Sequence, residues 1–212
     1  VTDVKDDVDL IKESYSPKQV FVLYADFSNL EILKKVNIEN SSMVFVNLKD
    51  DTTKLVHILN MKKVYGNCKF AVSLDNADLK NTFQTAGVTH TIAKNEIASK
   101  LLASYIFEPD VAAYSEEILS YAETDDDFDI KEYRIVDDNP NKNRRYGDAY
   151  FDFKKNYNCV LIGISKLKNG ARTLMKNPPD DVLLEVGDYI LVITDRDSSL
   201  VLEKDFKNQE GT

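Results

Sequence analysis

The chain has 212 residues, of which 43% are hydrophobic and 30% are charged, and its net charge is −9. A chain of this length buries roughly 70% of its unfolded surface, which excludes disorder for most of it and allows one core or two small ones. Nucleic-acid binding is disfavoured, because such a surface needs clustered Lys and Arg.

The first half of the sequence alternates between short apolar runs, typical of buried strands, and segments with the period of amphipathic helices. The predicted strands are Gln19–Tyr24, Met43–Leu48, Lys69–Leu74 and Thr89–Ile92, and the predicted helices are Asp9–Ser14, Ser28–Lys35, Thr53–Lys63 and Asp78–Thr85. Val1–Asp3 is typical of the end of a further strand, and a Ser-x-x-Glu capping box starts the helix at Ser28. Apolar strands that alternate with helices indicate a parallel sheet covered on both faces.

Polar side chains follow three of the predicted strands, at Asp26, Asn47 and Asp75. Ligands of such sheets bind beyond the carboxyl ends of the strands, so these residues are candidates for a binding site. Capping of the following helices is the alternative interpretation. The sequence contains no Gly-x-Gly arrangement, so a phosphate-cradling loop is absent from it.

Two further helices, Asn95–Ile106 and Asp110–Tyr121, are predicted on either side of Pro109, whose ring prevents one continuous helix. Each carries an apolar stripe, the first made of Ile97, Leu101, Leu102 and Tyr105 and the second of Val111, Tyr114, Ile118 and Leu119. A hairpin with two such stripes favours a docking or dimer surface, and packing against its own sheet is the alternative.

The second half is rich in predicted strands and follows an acidic run, Glu123–Asp129. We interpret this run as a solvated linker, because it lacks the turn glycine and the ordered ligand spacing of a calcium loop. The predicted strands are Ile130–Val136, Asn158–Ser165, Arg172–Met175 and Tyr189–Thr194, with a short helix over Gly147–Asn156. These elements indicate a small α+β unit without a nucleophile–base arrangement.

Three motifs together resemble the RCK domain, the regulator of potassium conductance found on prokaryotic potassium channels and on Trk/Ktr-type uptake systems. They are Asn177–Ile193 (NPPDDVLLEVGDYILVI), Tyr24–Ser28 (YADFS) and Phe83–Thr91 (FQTAGVTHT). The resemblance implies an α/β fold with a Rossmann-like parallel-sheet N-lobe whose first strand and first helix are missing, a helical crossover and a small α+β C-lobe. The corresponding boundaries are 1–94 for the N-lobe, 95–122 for the crossover and 123–212 for the C-lobe.

The resemblance also implies roles for individual residues. Asp26 matches an acid that contacts adenine, Asp3 matches an acid that holds ribose hydroxyls, and Asn47 is the third expected cofactor-binding residue. In calcium-gated archaeal channels three carboxylates follow the fourth and fifth strands; the matching positions here are Asn47, Ser73 and Asp75, so Asp75 is the one carboxylate left at these positions. Asp50 and Asp51, close by in the sequence, are the alternative carboxylates. The ligand therefore stays open, with an adenine nucleotide or NAD favoured over calcium.

The function that the resemblance implies is gating rather than catalysis. The domain is expected to form homodimers and higher rings, to act on a membrane-embedded potassium pore in the same or a separate chain, and to lie at the cytoplasmic face of the cell membrane. One alternative is an assembly scaffold that has lost its ligand. The other alternative is a nucleotide-dependent oxidoreductase. It is disfavoured because the sequence lacks a phosphate loop and offers only His57 and His90 as histidine proton donors.

Overall fold

The computed structural model describes residues 1–120, 124–168 and 171–211. The chain divides into two compact units, Val1–Ala103 and Ser104–Thr212. The start of the acidic run and the end of the predicted helix at Tyr121 lie outside the described residues. Among the residues described, none of the helices has the length and apolar character needed to cross a membrane.

The first unit is built on a sheet of three parallel strands in the order β1–β2–β3, which confirms the predicted parallel sheet. Its strands are β1 (Val44–Val46), β2 (Phe70–Leu74) and β3 (His90–Ala93), and its helices are α1 (Lys5–Ser14), α2 (Asp51–Val64), α3 (Lys80–Thr85) and α4 (Lys94–Phe107), the last of which continues into the second unit. Short 3-10 helices cover Leu30–Val36, Ile38–Asn40 and Ala77–Leu79.

Helix α2 shows how this sequence produces the layered packing. Asp50 caps its first turn, since one carboxylate oxygen accepts a hydrogen bond of 2.9 Å from the amide of Thr53. Ile58 and Met61, three residues apart, form its buried face and share a core with Phe70 of β2. This packing fixes the beginning of α2 at the carboxyl edge of the sheet, where β1 ends.

Two predictions for the first unit are wrong. Gln19–Tyr24 is not a strand: only Tyr24 pairs, in an isolated parallel bridge with Thr2, because no neighbouring strand offers the rest of the segment a ladder. The capping box at Ser28 is not formed either. The hydroxyl of Ser28 donates to Asp26 instead, and a 3-10 helix begins at Leu30 without a side-chain cap.

The second unit is an antiparallel sheet in the order β4–β7–β5–β6 with three helices. Its strands are β4 (Asp129–Arg134), β5 (Val160–Lys168), β6 (Ala171–Lys176) and β7 (Tyr189–Thr194), and its helices are α5 (Pro109–Leu119), α6 (Tyr146–Tyr157) and α7 (Arg196–Phe206). The strands and α6 agree with the sequence prediction, whereas α7 was not predicted.

Aromatic rings fill the core of the second unit. The ring centroids of Tyr133 and Phe206 lie 5.6 Å apart, and those of Phe153 and Phe206 lie 5.8 Å apart. Tyr146 is buried and donates a hydrogen bond of 2.8 Å to the carbonyl of Leu161, and its burial raises the pKa of the phenol to about 12. The Tyr146 hydroxyl is thus satisfied by a specific partner inside an apolar core.

Candidate functional site

The carboxyl edge of the parallel sheet is organised by Asp51, the first residue of α2. Its buried carboxylate accepts hydrogen bonds from the amides of Asp75, at 3.1 and 3.2 Å, and Asn76, at 3.0 Å. It also accepts one of 2.9 Å from the ammonium of Lys54. Burial raises the pKa of Asp51, but these hydrogen bonds outweigh it and hold the pKa below its ordinary value. Asp51 therefore fixes the loop that follows β2.

Lys54 is the counterion of this carboxylate, and its side chain is 0% exposed. Its Nζ also lies 3.8 Å from Oδ2 of Asp75. The other oxygen of Asp75 lies 3.7 Å from Nζ of Lys94, and the side-chain amide of Asn95 donates to the Asp75 carbonyl. The carboxylate of Asp75 thus faces two ammonium groups.

Asn47 lies at the same edge, where β1 ends. The hydroxyl of Ser73 is 3.5 Å from the side-chain oxygen of Asn47. Ser73 is the second-last residue of β2, two positions before Asp75. The structure therefore brings Asn47 and Asp75 to one edge of the sheet, as expected of the carboxyl ends of parallel strands.

Asp3 and Asp26 belong to a second group. Thr2 donates its amide to the carbonyl of Leu23 and accepts the amide of Ala25 at its own carbonyl, so Asp3 and Asp26 each follow this short pairing directly. Oδ1 of Asp26 accepts bonds of 2.8 and 2.7 Å from the amide and hydroxyl of Ser28, which lower the pKa of the exposed carboxyl. Both side chains are exposed to solvent.

An open slot separates these two groups. A cavity of about 480 Å³ is lined by Val1 and Thr2 on one side and by residues 43–48 on the other. Strand β1 is an edge strand that pairs with β2 alone. Because the amide of Val44 donates toward β2, at the Lys69 carbonyl, the alternation of a parallel ladder directs the amide and carbonyl of Phe45 into the slot.

His57 lies beside this slot and also lines a second cavity of about 510 Å³ on the outer side of α2. Its ring meets that of Phe27 edge to face, with centroids 5.4 Å apart. Burial lowers the pKa of His57, so the ring is neutral at pH 7. The contact is one of packing, as expected for a histidine between apolar neighbours.

Sequence reasoning missed the Asp51–Lys54 pair. An acid and a lysine three residues apart at the start of a helix usually form a solvated pair, and nothing in the local sequence marks this one as buried. The one feature of the sequence that could have indicated a buried pair was its position directly after a predicted strand. Within the described ranges, no three His, Cys, Asp or Glu side chains are grouped so as to hold a metal ion.

A known protein family matches most of the first unit, and two known proteins match most of the chain. Residues 2–94 match the family model of the TrkA-N domain. The chain is 25% identical over 179 residues to the probable ion channel POLLUX of Oryza sativa subsp. japonica. The aligned region covers 80% of this chain and 17% of that protein. The POLLUX protein of Arabidopsis thaliana is 26% identical over 177 residues, covering 79% of this chain and 20% of that protein. The chain thus spans a fifth or less of the length of these curated relatives.

Among solved structures, the human SLO3 gating ring is similar in fold. The TM-score is 0.63 at 13% identity, and the match covers 81% of this chain and 36% of that chain. At this level of identity the likeness concerns the fold.

Proposed function

We propose that the chain is an RCK domain and that it acts as a non-enzymatic regulatory domain of a potassium channel or potassium transporter, at the cytoplasmic face of the membrane. The observation that carries the proposal is the match of residues 2–94 to the TrkA-N domain together with that of most of the chain to two probable ion channels. Regulation requires a ligand whose affinity differs between two arrangements of the assembly, and a linkage from that assembly to a pore.

The surface that would join two copies is the helical hairpin around Pro109. In the second unit, Phe107 is 82% exposed and Leu119 is 77% exposed, whereas Ala112 and Ile118 of α5 are buried. One side of α5 therefore packs within its own unit, and large apolar side chains remain on the solvent side. This arrangement supports a homodimer formed through the hairpin, from which a higher ring is built.

The ligand that we propose is an adenine nucleotide or NAD, bound across the slot. Asn47 lines the slot, and so do Thr2 and Phe27, the chain neighbours of Asp3 and Asp26. Carboxylates accept hydrogen bonds from ribose hydroxyls and the adenine amino group. Thr2 pairs with the segment at Tyr24, so the opposite edge of residues 1–3 and the edge of β1 at Phe45 would accept a further parallel strand between them. A strand followed by a glycine-rich turn would provide the phosphate contacts that these 212 residues lack.

The binding part of the proposal is tested by thermal unfolding of the native protein that carries this domain, with ATP, ADP, AMP, NAD⁺ and NADH added in turn. We expect at least one to raise the unfolding midpoint by several degrees, because a ligand at about 100 times its Kd stabilises the folded state by about 2.7 kcal/mol. Asp26→Ala should remove most of this rise. Asp9→Ala, an exposed acid on α1, is the matched control and should retain it.

If every nucleotide leaves the midpoint unchanged while the protein remains a stable oligomer, the ligand proposal is wrong and the domain is an assembly scaffold. Oxidation or reduction of the nicotinamide by the purified protein would instead favour the oxidoreductase alternative. The matches to ion channels argue for the regulatory role over that alternative.

A further inference from the structure

The surroundings of the Lys54 ammonium are those of a bound cation. The carboxylate of Asp51 lies 2.9 Å from Nζ, that of Asp75 lies 3.8 Å away, and no part of the lysine side chain reaches solvent. Asp51 in turn holds the amides of Asp75 and Asn76. A single positive charge thus lies beneath the loop that follows β2, at the edge where the strand ends meet.

Burial of this charge needs compensation. An isolated ammonium in a protein interior is strongly destabilised and is retained only with close opposite charges. Here one carboxylate is buried with it, and a second lies at the rim, where Asp75 also meets Lys94. Lys54 and Lys94 balance the charges of Asp51 and Asp75, which weakens the attraction of these two carboxylates for a free cation.

The residues at this edge do not fit a calcium ion. Calcium takes six to eight oxygen ligands at about 2.3–2.6 Å, several of them charged. The carboxylate of Asp50 is already engaged by the amide and hydroxyl of Thr53, and both oxygens of Asp51 are engaged by Lys54 and the loop amides. A divalent ion beside Lys54 would also be repelled by a buried ammonium.

We propose that the Lys54 ammonium is a built-in substitute for a bound cation, which holds the loop at Asp75 and Asn76 in one arrangement and makes this edge of the sheet insensitive to divalent ions. Asp75 is then a partner of lysine rather than a metal ligand. A signal that regulates the domain would then act at a site other than this edge. This inference concerns the cation alone and holds whichever nucleotide binds in the slot.

The test is a thermal-unfolding comparison of wild-type chain and Lys54→Met, each in EDTA and in 10 mM CaCl₂ or MgCl₂. Methionine keeps most of the buried stem and vacates the position of the ammonium. We expect the variant to unfold several degrees below wild type in EDTA and to recover part of that loss with the divalent ion. With a Kd of about 1 mM for the vacated position, 10 mM ion would shift the folding equilibrium about elevenfold. Wild type should stay within about one degree, which corresponds to a small fraction of a kcal/mol.

Two controls assign the recovery to this cluster. Lys63→Met removes an exposed lysine from the same helix and should behave as wild type. Adding Asp51→Asn to Lys54→Met should abolish the recovery, because it removes the carboxylate that would receive the ion. A Lys54→Met variant that no divalent ion stabilises, or that Asp51→Asn leaves equally responsive, would overturn the proposal.

A measurement on wild type keeps the proposal testable if the variant does not fold. Nuclear magnetic resonance of the ¹⁵N-labelled chain reports the amides of Asp75 and Asn76, both of which bond to Asp51. Titration with CaCl₂ to 10 mM should leave these two signals in place. Saturable shifts of both signals would show that a divalent ion binds beside Lys54, which contradicts the proposal.

Discussion

Replacement of Asp188 by alanine should lower the free energy of unfolding of the second unit by about 3–5 kcal/mol, because it leaves a largely buried lysine without its main partner. Oδ2 of Asp188 accepts a bond of 2.6 Å from Nζ of Lys166 and one of 2.8 Å from the amide of Glu185, and Oδ1 accepts the amide of Leu167. Burial lowers the pKa of Lys166, but its bonds to Asp188 and Glu185 outweigh this effect and raise the pKa overall. The lysine therefore stays charged in the folded unit.

The change is measured by urea unfolding of the whole chain, with hydrogen exchange of β5 and β7 to assign the loss to this unit. Glu185→Ala is the matched control, since Glu185 pairs with the same lysine but its side chain is 61% exposed. It should cost about 1 kcal/mol or less, as exposed ion pairs do. If Asp188→Ala costs no more than Glu185→Ala, the buried pair does not stabilise the turn between residues 185 and 188.

The second large effect concerns assembly. Phe107→Asp combined with Leu119→Asp should convert the proposed hairpin homodimer into a monomer, with the dimer Kd raised more than about 100-fold, since large apolar anchors at an interface are each worth about 2 kcal/mol or more. Both side chains are among the most exposed apolar groups of the second unit. Since neither supports the core of the unit, the variant should keep its fold.

Sedimentation velocity over a range of concentrations measures this shift, and circular dichroism checks the fold. Leu200→Asp, on the exposed side of α7, is the control and should remain dimeric. A wild-type chain that is monomeric at every concentration would contradict the hairpin dimer. So would a double variant that sediments as wild type does.

The central strand of the first unit, β2, was predictable because it is buried on both faces. β2, with four of its five residues buried, reads as a continuous apolar run in the sequence. Gln19–Tyr24 is similarly rich in apolar residues but forms no ladder and is largely exposed, because composition does not report whether a neighbouring strand is present. A strand is a pairing between two segments, so local sequence alone does not determine it.

Helix α7 was missed because little of it is apolar. Its buried residues include Leu202 and Phe206, four positions apart, while the rest of the segment is mostly polar. The one sequence signal was its cap, since Asp195 accepts a bond of 2.7 Å from the amide of Ser198. Packing of Phe206 against Phe153 and Tyr133, distant in sequence, stabilises this helix.

The meeting of two polar residues at one edge of the sheet was predictable, whereas the partners of those residues were not. The ends of parallel strands meet at one edge by geometry, so Asn47 and Asp75 were found from the sequence. Which of the polar groups stay free is decided by their partners: Ser28 engages Asp26, and Lys54 lies close to Asp75. The first pairing is local, within one turn, whereas the second joins a helix to a distant loop, and only the fold reveals it.

Potassium flux tests the central claim, that this domain regulates a pore, most directly. The native potassium-transport assembly that contains the domain is reconstituted in vesicles, and flux is measured with and without the nucleotide that raises the unfolding midpoint. We predict that the nucleotide changes the flux and that Asp26→Ala abolishes this response while basal flux persists. Flux that is indifferent to every nucleotide, and that stays unchanged when the whole domain is deleted, would contradict the account.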